Sequence, residues 1–549
     1  MRLIFRHGMV RHGMGLGRIA IPMAVALLGG GAIYAAAPPR AATPAYLAAF
    51  PAFAPMVTPQ MPGDVDIALK TRLEKAGQFA QVQREFDLYS WQMFFALNWP
   101  TDAQGKPAPR ITDTAFGAPH WTLWHNSSDI FKDDGSRPAA CGAQGARLMA
   151  ASRDLSRAVS RGLKPFSAAA LAGTDPRTTR ALGVISAVGE LNAARLSEIQ
   201  QAFTAPLIDQ NGEFVFYEMM IDPNETAYLC DKGLYNINGQ VAFSQAGGKV
   251  VMPSGTPAQD WSGAFELKFA WRILKPGKDD FSRFYATPAV VMDQGPGGEQ
   301  VERKVTVGLV GMHIGHKSST SPQWIWSTFE QADNLDVDPI AHPNLAPSFT
   351  DPNCALCAVN QQPVADHNNV YRRVPTQAWR AIPIPDDKQD LNAQVSAAMR
   401  RAGSIWQYYR LIDTQWPTSP SAPPSPWNGG LPGAIANKSG GNPTPTFLTN
   451  ITMETYFQSG NQSECNGEEL PPGVACPQPW TSVLNRGTKQ TRPSGNMTAF
   501  MTESCTGCHS SAGIYTRYDP KSGAYAQSGQ LTADFSWLLS QKAAYLQAR

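Results

Sequence analysis

The hydrophobic pattern changes period along this chain. From 64 to 99 it is helical: charged Lys70, Arg72, Glu74 and Lys75 precede apolar Phe86, Tyr89, Trp91, Phe94 and Phe95. An alanine-rich stretch, 167–205, predicts a second helical region, with good formers such as Glu190, Leu191 and Arg195. Between 213 and 330 the period shortens to two. Segments 214–220, 263–272, 284–292, 305–313 and 323–329 read as strands. One alternates clearly, with Phe265, Leu267, Phe269 and Trp271 on one face and Glu266 and Lys268 on the other. Proline-rich loop follows over 339–385, then a helix near 388–413, then Pro/Gly/Ser-rich chain over 417–446. The fold class expected is α+β: a central antiparallel β-sheet or sandwich flanked by helices, with a C-terminal helical segment packed on it. The divisions expected are a mainly helical 38–212, an antiparallel β unit 213–335, a loop-rich 336–446 and a C-terminal segment 447–549.

Composition narrows the classes. The chain has 549 residues, 43% hydrophobic and 10% aromatic, which excludes disorder for its bulk. Charged residues are 16%, below the roughly 25% of an average domain. The formal charge is +2 with no basic stripe or tail, so nucleic acid is excluded as a partner. At the front, Arg2, Arg6, Arg11 and Arg18 precede an apolar stretch, 19–37, that ends in Ala35, Ala36 and Ala37. That order describes a signal peptide over 1–37 and export to the periplasm. The stretch is also near the minimum length of a membrane span, and Pro38 follows the cleavage site. An uncleaved anchor is therefore the other reading, and the only route to a membrane. Gly29, Gly30 and Gly31 favour cleavage, because three glycines weaken a spanning helix.

One motif is specific. Cys505-Thr506-Gly507-Cys508-His509 is a C-x-x-C-H run, the attachment signature of a c-type haem. Residues i and i+3 of a helical turn share a face, so both thiols reach one porphyrin while the next residue reaches its iron. A zinc reading lacks a second Cys/His pair at suitable spacing, and a thioredoxin-like reading lacks the βαβ context. On these residues the segment from about 495 to 549 resembles a c-type cytochrome, and the whole chain is similar to large periplasmic monohaem proteins of that family. The resemblance implies one covalent haem c, with Cys505 and Cys508 as thioether anchors and His509 as proximal iron ligand. It covers about a tenth of the chain and leaves the body unexplained. It also implies a methionine ligand after the motif, which this chain lacks: Met501 is its last methionine and His509 its last histidine.

A second axial ligand of His or Met type must therefore come from upstream, or the iron is open on one side. The candidates are His313 and His316, at the end of an apolar strand, and Met453. The alternative for the histidines is packing against the sheet and capping a turn; for Met453 it is core filling. His120 and His125, beside Trp121 and Trp124, read as an aromatic core anchor. Of the six remaining cysteines, Cys465 with Cys476 makes a natural local bridge and Cys141 with Cys230 a long-range staple. Cys354 and Cys357 lack a trailing histidine, so they are a bridge or a redox pair. Six cysteines allow 15 pairings. No Walker loop, G-x-S-x-G or H-E-x-x-H occurs.

Three functions follow as expectations. The first is periplasmic electron transfer through a covalent haem, with a periplasmic redox protein as partner. The second is a haem enzyme, peroxidase- or oxygenase-like, with an open distal site, which the large body and the missing downstream ligand favour. The third is a cytochrome subunit or scaffold of a periplasmic dehydrogenase complex. Catalytic residues are not assigned by the sequence.

Overall fold

The computed structural model describes residues 57–142, 166–183, 198–417, 448–458 and 505–546, apart from 176, 202–203, 257–260, 339, 355, 368–369, 381–382, 511 and 528–531. The expected signal segment lies outside them. The chain enters through α1 (Ile67–Lys75), whose N-terminus is capped by the Asp66 side chain accepting from Leu69 N–H, 2.9 Å. Helix α2 (Phe79–Leu97) is buried almost all round, which places it inside the molecule. Among its polar residues, Ser90 Oγ lies 2.7 Å from both Ser327 Oγ and Thr414 Oγ1.

Among the described residues the main sheet has eight strands. They are β1 (His125–Asn126), β2 (Arg180–Gly183), β3 (Val215–Ile221), β4 (Phe265–Ile273), β5 (Ala286–Gln294), β6 (Gln300–His316), β7 (Ile325–Gln331) and β8 (Tyr409–Gln415). The order is β8-β7-β6-β4-β3-β1, with β5 beside β6 and β2 beside β5. The first half of β6 pairs with β5, from Gln300↔Gln294 to Gly308↔Ala286. Its second half pairs with β4 and β7. The handover coincides with a bulge between Leu309 and Gly311, the usual device for bending a strand too long to stay flat.

The α+β class holds, with two corrections. The sheet is mixed, because β2 runs parallel to β5, and it is one curled sheet, not a sandwich. The helical region expected over 167–205 contains a one-turn helix, Ala168–Leu171, and then strand β2; 184–197 lie outside the described residues. The helix expected over 388–413 is α5 (Asp386–Ala402), ended by Gly403 at φ 71°, and the chain turns back as β8.

One face of the sheet carries the main core. Phe86 stacks on Trp416 at 4.6 Å, Phe94 meets Phe329 at 4.5 Å and Trp121 meets Phe269 at 4.4 Å. The other face receives α3 (Pro223–Lys232), α4 (Ile237–Gln245), residues 448–458 and the C-terminal residues 505–546. The C-terminal part is mixed: helix α6 (Cys505–His509), a hairpin of Tyr515–Tyr518 with Tyr525–Gln527, and helix α7 (Leu538–Lys542). Cys141 and Cys230 are joined, tying α3 to the chain before it, and Cys354 is joined to Cys357. The expected Cys465–Cys476 bridge lies outside the described residues.

Gly311 sets how closely 448–458 can approach, since a Cβ there would overlap the Thr452 hydroxyl. Gly311→Ala is expected to cost about 1–3 kcal/mol, the usual cost of overpacking, measured by urea unfolding of the full chain. An unchanged midpoint would show that residues 448–458 do not dock here.

Candidate functional site

The C-x-x-C-H turn is fixed by local and distant bonds. Thr506 N–H donates to Gln415 Oε1 at 2.8 Å, tying α6 to the end of β8. Ser510 closes the turn, its N–H on Thr506 O at 2.9 Å and its hydroxyl on Gly507 O at 2.7 Å. Cys505 and Cys508 are in no disulfide. With His509 they stand on the wall of a partly enclosed cleft. Its apolar lining includes Met219, Trp326, Leu448, Phe457 and Leu538.

His509 is oriented in detail. Its Nδ1 lies 2.7 Å from the Phe535 carbonyl. A carbonyl only accepts, so Nδ1 carries the proton and Nε2 keeps its lone pair. Trp326 lies against the ring at 4.3 Å between centroids. Burial pushes the imidazole down to about 4, the Phe535 carbonyl opposing, so the ring is neutral. The carbonyl is held by an uncommon turn: Asp534 and Phe535 have φ of 50° and 71°, a conformation that costs a non-glycine residue free energy and persists only where surroundings enforce it. Here the enforcement comes from the Asp534 carboxylate, which accepts from Met252 N–H at 2.6 Å and pairs with the buried Lys317 ammonium.

The sheet supplies the rest of the wall. On β4, Phe265, Leu267 and Phe269 face the main core, while Glu266 and Lys268 face the cleft. His313, on β6, also lines it. Its Nδ1 is 2.7 Å from Thr328 Oγ1 and its Nε2 is 2.9 Å from Glu454 Oε1. Glu454 accepts in turn from Asn450 N–H at 2.8 Å. Burial raises the Glu454 carboxyl, but His313 and Lys268 outweigh it and hold it below its usual range. Burial lowers the Lys268 ammonium, Glu454 opposing. The Cys505 thiol is pushed well up, by burial first and then by the Glu454 charge.

The cleft thus brings together Cys505, Cys508, His509 and His313. It does not include His316 or Met453. Three residues along a strand from His313, His316 falls on the opposite face, where it is buried against Phe265 at 3.9 Å and bonded to Tyr89 on α2. Burial lowers it to about 4. Met453 is wholly buried in a cluster with Tyr217, Val310 and Ile451. His120 and Trp124 meet edge to face at 6.2 Å. Lys268, Glu266 and Glu454 are site residues that motif reasoning missed. The only signal for the first two was their position on the polar face of β4.

These groups fit a covalently held haem. Two unbridged thiols share one turn, the next residue is a neutral imidazole with its other nitrogen already bonded to a carbonyl, the usual outer contact of a metal-bound histidine, and apolar walls face them. Among the described residues no set of three or more His, Cys, Asp or Glu side chains gathers to hold a bare metal ion. Comparison with models of known protein families, with curated proteins and with solved structures found no match to this chain.

Proposed function

We propose that this chain is an exported monohaem c-type cytochrome that carries electrons in the periplasm, with its haem in the cleft under α6. Cys505 and Cys508 anchor the porphyrin and His509 binds its iron through Nε2. The bound haem supplies a one-electron Fe(III)/Fe(II) couple. The observation that carries the reading is the His509 Nδ1 bond to the Phe535 carbonyl, which commits the tautomer a metal needs. The protein's own contribution is to hold that ring with Trp326 and the 534–535 turn, and to keep water from the centre with Met219, Leu448, Phe457 and Leu538. A periplasmic one-electron donor or acceptor protein is the partner this role requires.

The test is the optical spectrum of the secreted, full chain, oxidised and reduced, with and without carbon monoxide. A reduced haem spectrum unmoved by carbon monoxide supports electron transfer through a closed iron. A chain without a haem spectrum refutes the proposal.

A second reading, a haem enzyme acting on a small molecule, is favoured by one observation. His313, hydrogen-bonded to both Thr328 and Glu454, and Lys268 stand on a cleft wall otherwise largely apolar. Such a pair can hold or move a proton at His313 Nε2. Under this reading carbon monoxide shifts the spectrum of the reduced protein. His313→Ala then leaves the haem attached, alters the carbon monoxide band and lowers peroxide consumption at least tenfold, the low end of what a general acid–base group loses, about 10²–10⁴, being reduced by the Lys268 that remains.

A further inference from the structure

Glu266 has a second carboxyl group for a neighbour, that of Glu225. Strand β3 ends at Ile221, which pairs with Glu266 of β4. Asp222 then caps α3, and Glu225 is the third residue of that helix. This short connection brings the carboxyl groups of Glu225 and Glu266 against each other. Glu225 is wholly buried. Neither of its oxygens, nor Oε1 of Glu266, has a hydrogen-bond donor among the described residues. Glu266 is half-buried on the wall of the cleft.

A wholly buried carboxyl with no donor, in contact with a second, half-buried carboxyl, cannot be ionised together with it; one proton between them supplies the donor that Glu225 lacks. Burial raises both carboxyls, and the Glu266 charge raises that of Glu225 further. The other charged groups nearby are already committed. Asp222 accepts from Asn224, Glu225 and Phe265 N–H at 2.9, 3.0 and 3.1 Å. Asp534 pairs with Lys317, and Tyr228 donates no charge but accepts from Val251 N–H at 2.8 Å. Across the cleft, Glu454 pairs with His313, while Lys268, with Lys542 beyond it, supplies positive charge. Glu225 therefore differs from these in having no donor on either oxygen among the described residues. Ser536 lies beside Glu266, one residue past the Phe535 carbonyl that orients His509. The turn that orients His509 thus also adjoins Glu266.

We infer that Glu225 and Glu266 share one proton and take up a second when the centre in the cleft is reduced, coupling its electron to a proton. This rests on the haem reading above. The balance is one electron from a one-electron donor to the iron and one proton from water to the remaining carboxylate. One O–H bond forms, no bond of the chain breaks, and oxidation reverses both. The cause is electrostatic: the electron removes a positive charge from the cleft, so the neighbouring carboxylate binds a proton more tightly. The sign follows. The reduced form is favoured at low pH, and the midpoint potential falls as pH rises.

The test is a mediated potentiometric titration of the full haem-loaded chain across pH. The expected midpoint falls by up to about 59 mV for each tenfold drop in proton activity, the one-electron limit. Glu225→Gln and Glu266→Gln, near-isosteric with the protonated acid, each reduce the slope, and the double substitution removes it. In a weakly buffered medium, electrochemical reduction takes up close to one proton per electron in the unmodified chain and none in the double variant. Should the variants fail to fold, that proton count alone decides. A flat potential with no proton uptake in the unmodified chain, or a slope that survives the double substitution, overturns this inference and leaves the haem reading intact. A chain with no haem spectrum overturns both, at the spectrum and before any slope is read.

Discussion

Serine in place of both Cys505 and Cys508 is expected to leave the secreted chain with no haem after denaturation. A thioether forms when a thiol adds to a porphyrin vinyl group, and a hydroxyl does not replace it. The two thiols stand on one helical turn, three residues apart, on the wall of the same cleft. Each single variant therefore keeps one bond and retains haem, whereas the double variant keeps only coordination by His509, which denaturation breaks. Haem staining of a denaturing gel reads the result directly. The double variant is a band of full-length protein without stain. Stain that persists in it would place the attachment elsewhere and end the assignment of these two residues.

The second large effect lies far from the cleft. Lys388 on α5 is buried, with its ammonium 2.7 Å from Asp87 Oδ2 on α2 and 3.7 Å from Asp413 Oδ1 on β8, and it also contacts Asp387. Burial pulls this ammonium down, but the three carboxylates outweigh it and hold it above its usual range. One side chain thus joins α2, α5 and the edge strand that carries Gln415, to which Thr506 of the C-x-x-C-H turn is bonded. Lys388→Ala removes the cation and leaves Asp87 and Asp413 as buried charges of like sign. The expected loss is about 3–5 kcal/mol, the range for breaking a buried pair from one side. Urea unfolding of the full chain measures it. A loss under about 1 kcal/mol, the scale of an exposed pair, would show that the group is solvated and that α5 is held by its apolar face alone.

The parts legible in the sequence were those whose signal is local. The strands of 213–330 announce themselves by alternation, and the C-x-x-C-H turn by a spacing of five residues. Strand β2 was hidden because four residues in an alanine-rich stretch carry no periodicity of their own; its pairing with β5 is made more than a hundred residues away. Strand β8 was absorbed into the preceding helix, although Gly403 marked the stop. The site divides the same way. Alternation placed Glu266 and Lys268 on the polar face of β4, but whether that face meets water or a cleft depends on residues 505–546 docking on it. The contact of His313 with Glu454 spans 141 residues. Nothing near either residue reports it. His313 and His316 looked equivalent in sequence, and the parity of a strand separates them: one faces the cleft, the other α2.

The central claim is that this chain carries one haem bound through Cys505 and Cys508, and the most direct measurement is the intact mass of the secreted full chain after denaturation. The expected value is the polypeptide mass plus that of one haem, with the increment carried by the peptide that contains 505–509. A mass equal to the polypeptide alone, from cells competent to attach haem to other exported proteins, would contradict it.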